Sequence, residues 1–355
     1  MPVNHAADDR DRIGRLLEDG LDDHFTCAAA AIGGPGGDPL TVSVGDRDPA
    51  REAPVTPDTR FDLASLTKPI ATTTLVFQLL EAGAISFNDT LADHVPALKG
   101  TDRESIPIHT LLTHTSGLRP YAYDESWDSR ESSMADLLER DLRSHPIGDR
   151  FEYSCLNFVH LEEVVRRVTG ESLSDLARRR IFEPAGMTGA TMGPPEFDVP
   201  VVATYDHDHA DRRLVGETND PIARAMGGYS GNAGLFATLE DVVAFAETML
   251  REGETPDGER ILSPASVRSM RRERARSDEV AQGYGWRTPI GRTPAPIWGA
   301  DAIGHTGYTG TSLWLDFDRE RYAVCLTNAA HEAVPDLERF RQRFHAVAAS
   351  IESPR

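Results

Sequence analysis

Residues 9–19 carry Ile13, Leu16 and Leu17 at helical spacing and run into Gly20, which predicts an amphipathic helix. The pattern then turns continuous. Apolar runs at 25–32 and 40–44 flank the Gly- and Pro-rich segment 33–39, the signature of a β-hairpin. After a Pro-rich loop at 49–57, a long apolar helix is predicted from near Ser65 to about Gly83, where the glycine stops it. From about 91 to 225 the apolar positions fall into short helical patterns separated by Pro- and Gly-containing loops. Asn157 is placed to cap a helix bearing Leu161, Val164, Val165 and Val168 on one face. Ser172 with Asp175, and Thr238 with Asp241, have the spacing of capping boxes, and Ser263-Pro264 reads as a cap followed by an N1 proline. Strand-like runs return at 284–287, 311–316 and 322–326, followed by an amphipathic helix over 335–351. Strands at both ends and helices between them predict a mixed α/β (α+β) fold. One antiparallel sheet, built from residues 1–90 and 226–355 and flanked by helices, carries an inserted, mostly helical subdomain over 91–225. The sequence shows no internal repeat.

Composition narrows the function. A chain of 355 residues, 39% hydrophobic and 26% charged, is long enough for a sizeable core. Against 57 acidic residues stand 37 basic ones, a formal charge of −20, so the surface repels nucleic acid and anionic lipid. The N-terminal residues lack a basic segment followed by an apolar one, and no apolar run approaches the ~18 residues of a membrane span. Three cysteines, Cys27, Cys155 and Cys325, are far apart and odd in number, which argues against a disulfide framework or a cysteine zinc site. A cytoplasmic protein without metal or cofactor is the expectation. Of the 37 basic residues, only Lys68 and Lys99 are lysine.

Lys68 stands three residues after Ser65, and residues i and i+3 share a helix face. A lysine amine there can take the serine proton, which an arginine could not, because a guanidinium stays charged. That role predicts a lysine pKa depressed by burial or by neighbouring positive charge. A serine on the first helical turn also presents its own backbone N–H to a developing oxyanion. By itself the spacing is equally compatible with a capping serine and a solvated lysine; the apolar residues on either side favour a buried site.

The stretch FDLASLTKPIATT at 61–73 closely resembles the active-site helix of the serine β-lactamase and penicillin-binding-protein superfamily. The nearest branch is the class C-like one, which includes D-alanyl-D-alanine carboxypeptidase-like proteins and β-lactamase-fold esterases. In the family's order follow LLTHTSGL at 111–118, FEYSCLNF at 151–158, GNAGLFAT at 231–238 and GHTGYTGT at 304–311. The resemblance spans about 20–330. It implies a β-lactamase/transpeptidase-like fold and a serine hydrolase that works through an acyl-enzyme on an ester, amide or β-lactam carbonyl. Ser65 would be the nucleophile, Lys68 its proton acceptor and Tyr153 a second base that later activates water. The backbone N–H groups of Ser65 and Tyr308 would form the oxyanion hole. Cys155, His305, Thr306 and Gly307 would face the substrate, a small molecule or peptide, with Gly307 admitting it close to the backbone.

Two positions depart from the family pattern. Cys155 stands where the Tyr-x-Asn motif has its amide, and His305 where the third motif usually has lysine. Both weaken the grip on β-lactams and favour an esterase or amidase. They also feed the alternative of a non-catalytic peptide- or partner-binding protein on the same scaffold. Other signals are weaker. GYSGN at 228–232 lacks the last glycine of a nucleophile elbow. His207, His209 and Asp211 begin a zinc-type motif that Arg212 breaks. His114 reads as a structural hydrogen-bonding residue, and the Arg-rich run 268–276 as a solvated helix face. Trp127, Trp286, Trp298 and Trp314 are core or rim.

Overall fold

A computed structural model describes residues 5–21, 23–48, 53–196, 198–206, 212–291, 297–329 and 337–351. Its centre is a nine-stranded sheet. The strands are β1 (Cys27–Gly33), β2 (Leu40–Asp48), β3 (Ala53–Pro54), β4 (Ala275–Arg276), β5 (Val280–Gln282), β6 (Arg287–Gly291), β7 (Ile303–Thr306), β8 (Ser312–Asp316) and β9 (Arg321–Thr327). They lie in the order β3-β2-β1-β9-β8-β7-β6-β5-β4. Each pairing is antiparallel. The two ends of the chain meet at the β1–β9 pair, where Ala28 faces Thr327 and Gly33 faces Tyr322.

Both strands of that pair are wholly buried, which is why they read as continuous apolar runs rather than alternating ones. The period-2 pleat nevertheless sorts their side chains. Cys27, Ala29, Ala31, Tyr322, Val324 and Leu326 join the main core. Ala28, Ala30, Ile32, Ala323 and Cys325 join a second core beneath two terminal helices, α1 (His5–Glu18) and a helix at Leu337–Ser350. The alanines of β1 leave room for helices to pack close on both faces.

The stretch after Ser65 differs from a single regular helix. Residues Ala64–Leu66 form a 3₁₀ turn, Lys68–Thr73 a π-helical segment, and only Thr74–Glu81 (α2) is α-helical. Pro69 supplies the reason: it has no N–H to continue the i→i−4 ladder, and a π segment re-registers the chain around it. The helices Arg130–Glu139 (α3) and Cys155–Thr169 (α4) follow, and Leu239–Leu250 (α5) packs on the sheet. The C-terminal helix is α6 (Leu337–Ser350). A small three-stranded sheet of Phe61–Asp62, Leu235–Ala237 and Thr191–Met192 leads into Ser65.

The hairpin, the first helix and the caps at Ser172, Thr238 and Ser263 are present. Other expectations are corrected. Ser154, not Asn157, is the N-cap of α4. Asn157 is buried inside that helix, where it accepts from Ser116 Oγ and meets His114 Nδ1 at 3.0 Å. Residues 284–286 form a turn between β5 and β6, and the strand begins at Arg287. The run 268–276 leaves its helix at Met270 and ends in β4. All four tryptophans are buried. Residues 207–211 and the helix start at 335–336 lie outside the described residues. Among the described residues no helix is long and apolar enough to cross a membrane.

Candidate active site

Ser65 lines a cleft and is held there by the turn before it. Ala64 adopts φ 48°, the left-handed region that a non-glycine residue rarely occupies. The buried carboxylate of Asp62 accepts the Ala64 N–H at 2.9 Å and the Asn219 N–H at 2.7 Å, tying this turn to the cleft wall. Thr67 Oγ1 donates to Ala64 O at 2.7 Å and accepts the Leu235 N–H at 3.0 Å. These contacts fix the backbone around Ser65, whose N–H, in the first turn, has no intrahelical partner.

Lys68 is completely buried. Its Nζ donates to Ser65 Oγ at 2.9 Å and to Asn232 O at 3.0 Å, lies 3.5 Å from Cys155 Sγ, and sits 5.1 Å from the centre of the Tyr153 ring. The 3₁₀-to-π transition still places Ser65 and Lys68 within hydrogen-bond reach. The electrostatics differ from a depressed lysine. Burial does disfavour the ammonium, but Cys155, Tyr153 and the Asp220 carboxylate together outweigh it, and the Lys68 pKa is raised. Burial also pushes the Cys155 thiol up, against the pull of Lys68.

The Tyr153 ring packs against His114, with centroids 4.4 Å apart and planes tilted by 33°. His114 is buried and neutral: burial first, then Lys68 and Arg287, hold its pKa well below the ordinary value. Its Nδ1 accepts the Ser154 N–H at 3.0 Å, so it braces the segment that carries Tyr153 and leads into α4 at Cys155.

The cleft has a volume of about 180 Å³. Ser65, Tyr153, Cys155 and Tyr308 line it, together with Ala64, Tyr121, Asn219, Asp220, Pro221 and Ala233. The other predicted contacts, His305, Thr306 and Gly307, are not in its lining. His305 is only 1% exposed and packs 6.1 Å from Tyr153. Burial, Arg287 and Lys68 keep it neutral. It therefore supplies no fixed cation. The space beside Gly307 belongs to the protein: an added Cβ would lie 2.1 Å from Thr311 Oγ1 and 2.6 Å from Leu63 O. The glycine lets the end of β7 pack against the turn before Ser65.

Several residues escape the motif pattern. Asp62 sits in the first motif but has no side-chain chemistry that sequence spacing singles out. Glu162, buried in α4, accepts the Gly231 N–H at 2.8 Å and pairs with Arg130 of α3. Arg130 also donates to Tyr229 O at 2.6 Å. Together they hold the 228–232 loop that delivers Asn232 O to Lys68. Ser230 of that loop is buried and bonds Asn232 Oδ1 at 2.9 Å, a structural role distinct from a nucleophile elbow. Arg287, at the start of β6, has no ion-pair partner among the described residues and lies 6.0 Å from the Tyr153 ring. Among the described residues no cluster of three His, Cys, Asp or Glu side chains could hold a metal ion.

Known proteins resemble this chain in sequence and in fold. It is 27% identical over 332 residues to an Escherichia coli (strain K12) protein whose name, D-alanyl-D-alanine carboxypeptidase, is itself provisional. The match covers 83% of this chain and 75% of that one. The structure of EstCE1, a hydrolase with promiscuous acyltransferase activity, superposes with a TM-score of 0.80 at 21% identity, over 97% of this chain and 99% of that one. A class C beta-lactamase superposes with a TM-score of 0.79 at 17% identity, over 100% and 99%. The Beta-lactamase family profile matches residues 13–348, and the chain belongs to that family.

Proposed function

We propose that this protein is a serine hydrolase that cleaves a small ester or amide through an acyl-enzyme on Ser65. The observation that carries the reading is the 2.9 Å contact between Lys68 Nζ and the Oγ of Ser65, which lines the cleft. A lysine otherwise almost absent from the chain is buried there at the one spacing that serves the serine.

Lys68 and Tyr153 are assigned the base role together: Lys68 Nζ contacts Ser65 Oγ and lies 5.1 Å from the centre of the Tyr153 ring. Ser65 Oγ attacks the carbonyl carbon and its proton passes to the pair. The oxyanion forms against the backbone N–H groups of Ser65 and Tyr308. The pair then protonates the leaving alkoxide or amine as the carbon–heteroatom bond breaks. Water attacks the acyl-enzyme, gives its proton to the same pair, and Ser65 leaves protonated.

Cys155 removes the amide that would grip an acylamino group, and neutral His305 removes the usual fixed cation. These departures favour a simple ester or amide over a β-lactam. The test is incubation with a fluorophosphonate probe followed by intact-mass analysis. One adduct on the native chain, absent from Ser65→Ala, is expected. A native chain that takes no adduct would instead favour a binding protein on this scaffold.

A further inference from the structure

Asp220 is the one carboxylate among the described residues that line the cleft. It is half-buried and held in one orientation. Its Oδ1 accepts the Ala223 N–H at 2.8 Å, capping the helix Pro221–Ala225. Its Oδ2 meets the Tyr121 hydroxyl at 3.4 Å. That hydroxyl accepts the Ile222 N–H at 3.2 Å, so its proton points toward Oδ2. A carboxylate offers about four lone-pair sites, and these contacts leave room for a further donor.

Among the described residues no cation forms an ion pair with it, although its charge reaches Lys68. Arg224, on the same helix, is committed to Asp206 at 3.1 Å and to the carbonyls of Thr218 and Asn219. Lys68 points its hydrogen bonds at Ser65 and Asn232. Asp62, buried behind the same wall, supplies no cation either. The neighbouring Asn219 spends its side-chain amide on Tyr205 O, and Cys155 offers no amide. The cleft is also small, below the ~300 Å³ at which drug-sized ligands usually start.

We infer that Asp220 makes this cleft select substrates bearing a primary ammonium group on a small acyl portion, close to the scissile carbonyl. This rests on the serine-hydrolase reading and names its substrate class. An ammonium entering the cleft gains a charge-assisted hydrogen bond in a partly desolvated setting, whereas a carboxylate or an acylated amine at the same place does not.

The experiment compares isosteric pairs of p-nitrophenyl esters below pH 7, where the amines are protonated. Alanyl (both enantiomers) is set against 2-methylpropanoyl, and 3-aminopropanoyl against butanoyl. The readout is the ratio of kcat/KM within each pair. A ratio of about ten or more is expected in at least one pair for the native protein, collapsing toward one in Asp220→Asn. Asparagine keeps the helix cap, and a melting curve checks that the variant is folded. Ratios below that in both pairs, or a ratio that Asp220→Asn leaves intact, would overturn the inference while turnover itself upholds the hydrolase. No turnover of any ester, with no adduct on Ser65, would overturn both.

Discussion

Asp62 is fully buried two residues ahead of Ala64, and its carboxyl is pushed up to about 6. Burial is the main cause. The N–H groups of Asn219 and Ala64 oppose it, and Asp220 adds to it. In the unfolded chain an aspartate titrates near 3.9. Between about 4 and about 6 the native state therefore holds a proton that the unfolded chain has released. The contribution to stability is complete below pH 4, is lost as pH rises to about 6, and is flat above. Two units correspond to roughly 3 kcal/mol. Urea unfolding at pH 4 and pH 6.5 should show this loss in the native chain and a smaller one in Asp62→Asn; equal losses would exclude Asp62 as the source. No sequence pattern marks this residue, because its environment is assembled from Ala64 on one side and Asn219, far along the chain, on the other.

At the scale of elements, the 228–232 loop is the part most dependent on its neighbours. Thr72 of the π segment donates to Gly231 O at 2.7 Å, and Glu162 of α4 accepts the Gly231 N–H. Arg130 of α3 spans Glu162 and Tyr229 O, so two helices aim one carbonyl, that of Asn232, at Lys68. Arg130→Ala would leave Glu162, 2% exposed, without its cation. The expected cost is about 3–5 kcal/mol, read as a lower melting temperature, together with slower probe labelling of Ser65. A variant that melts and labels like the native chain would separate this clamp from the site. The helix α4 itself was legible from its apolar face, but its start was not. Asn157 has the chemistry of a cap, and burial beside His114 and Ser116 gave it another use.

Across the whole molecule, the C-terminal helix reaches the active-site end of the sheet. Arg341 of α6 is buried and donates to Gly307 O and, at 3.3 Å, to Gly310 O, the two ends of the turn that carries Tyr308. Burial pulls its guanidinium down to about 10. Arg341→Met keeps the apolar stem and removes both bonds. Gly307 O still accepts the Gly310 N–H, but Gly310 O loses this donor, which should cost about 1–3 kcal/mol, and probe labelling of Ser65 should slow by roughly tenfold or more as the turn drifts. Thermal melting and labelling kinetics check both; a lower melting point with native labelling would confine Arg341 to stability.

The sequence by itself determined the elements whose cause is local: the hairpin, set by its turn residues; the helix caps at Ser172, Thr238 and Ser263, set by spacing; and a sheet built from both chain ends, set by where the apolar runs fall. It also determined which serine and lysine share a turn. The tertiary structure decided what depends on distant groups. Lys68 is raised rather than depressed because Cys155, Tyr153 and Asp220 converge on it. Gly307 serves packing because Leu63 and Thr311 occupy its side. His305 lies behind Tyr153, outside the cleft lining, while Asp220, far along the chain from Ser65, enters it. A motif fixes which side chains are present, but charge state and access are set by everything packed around them.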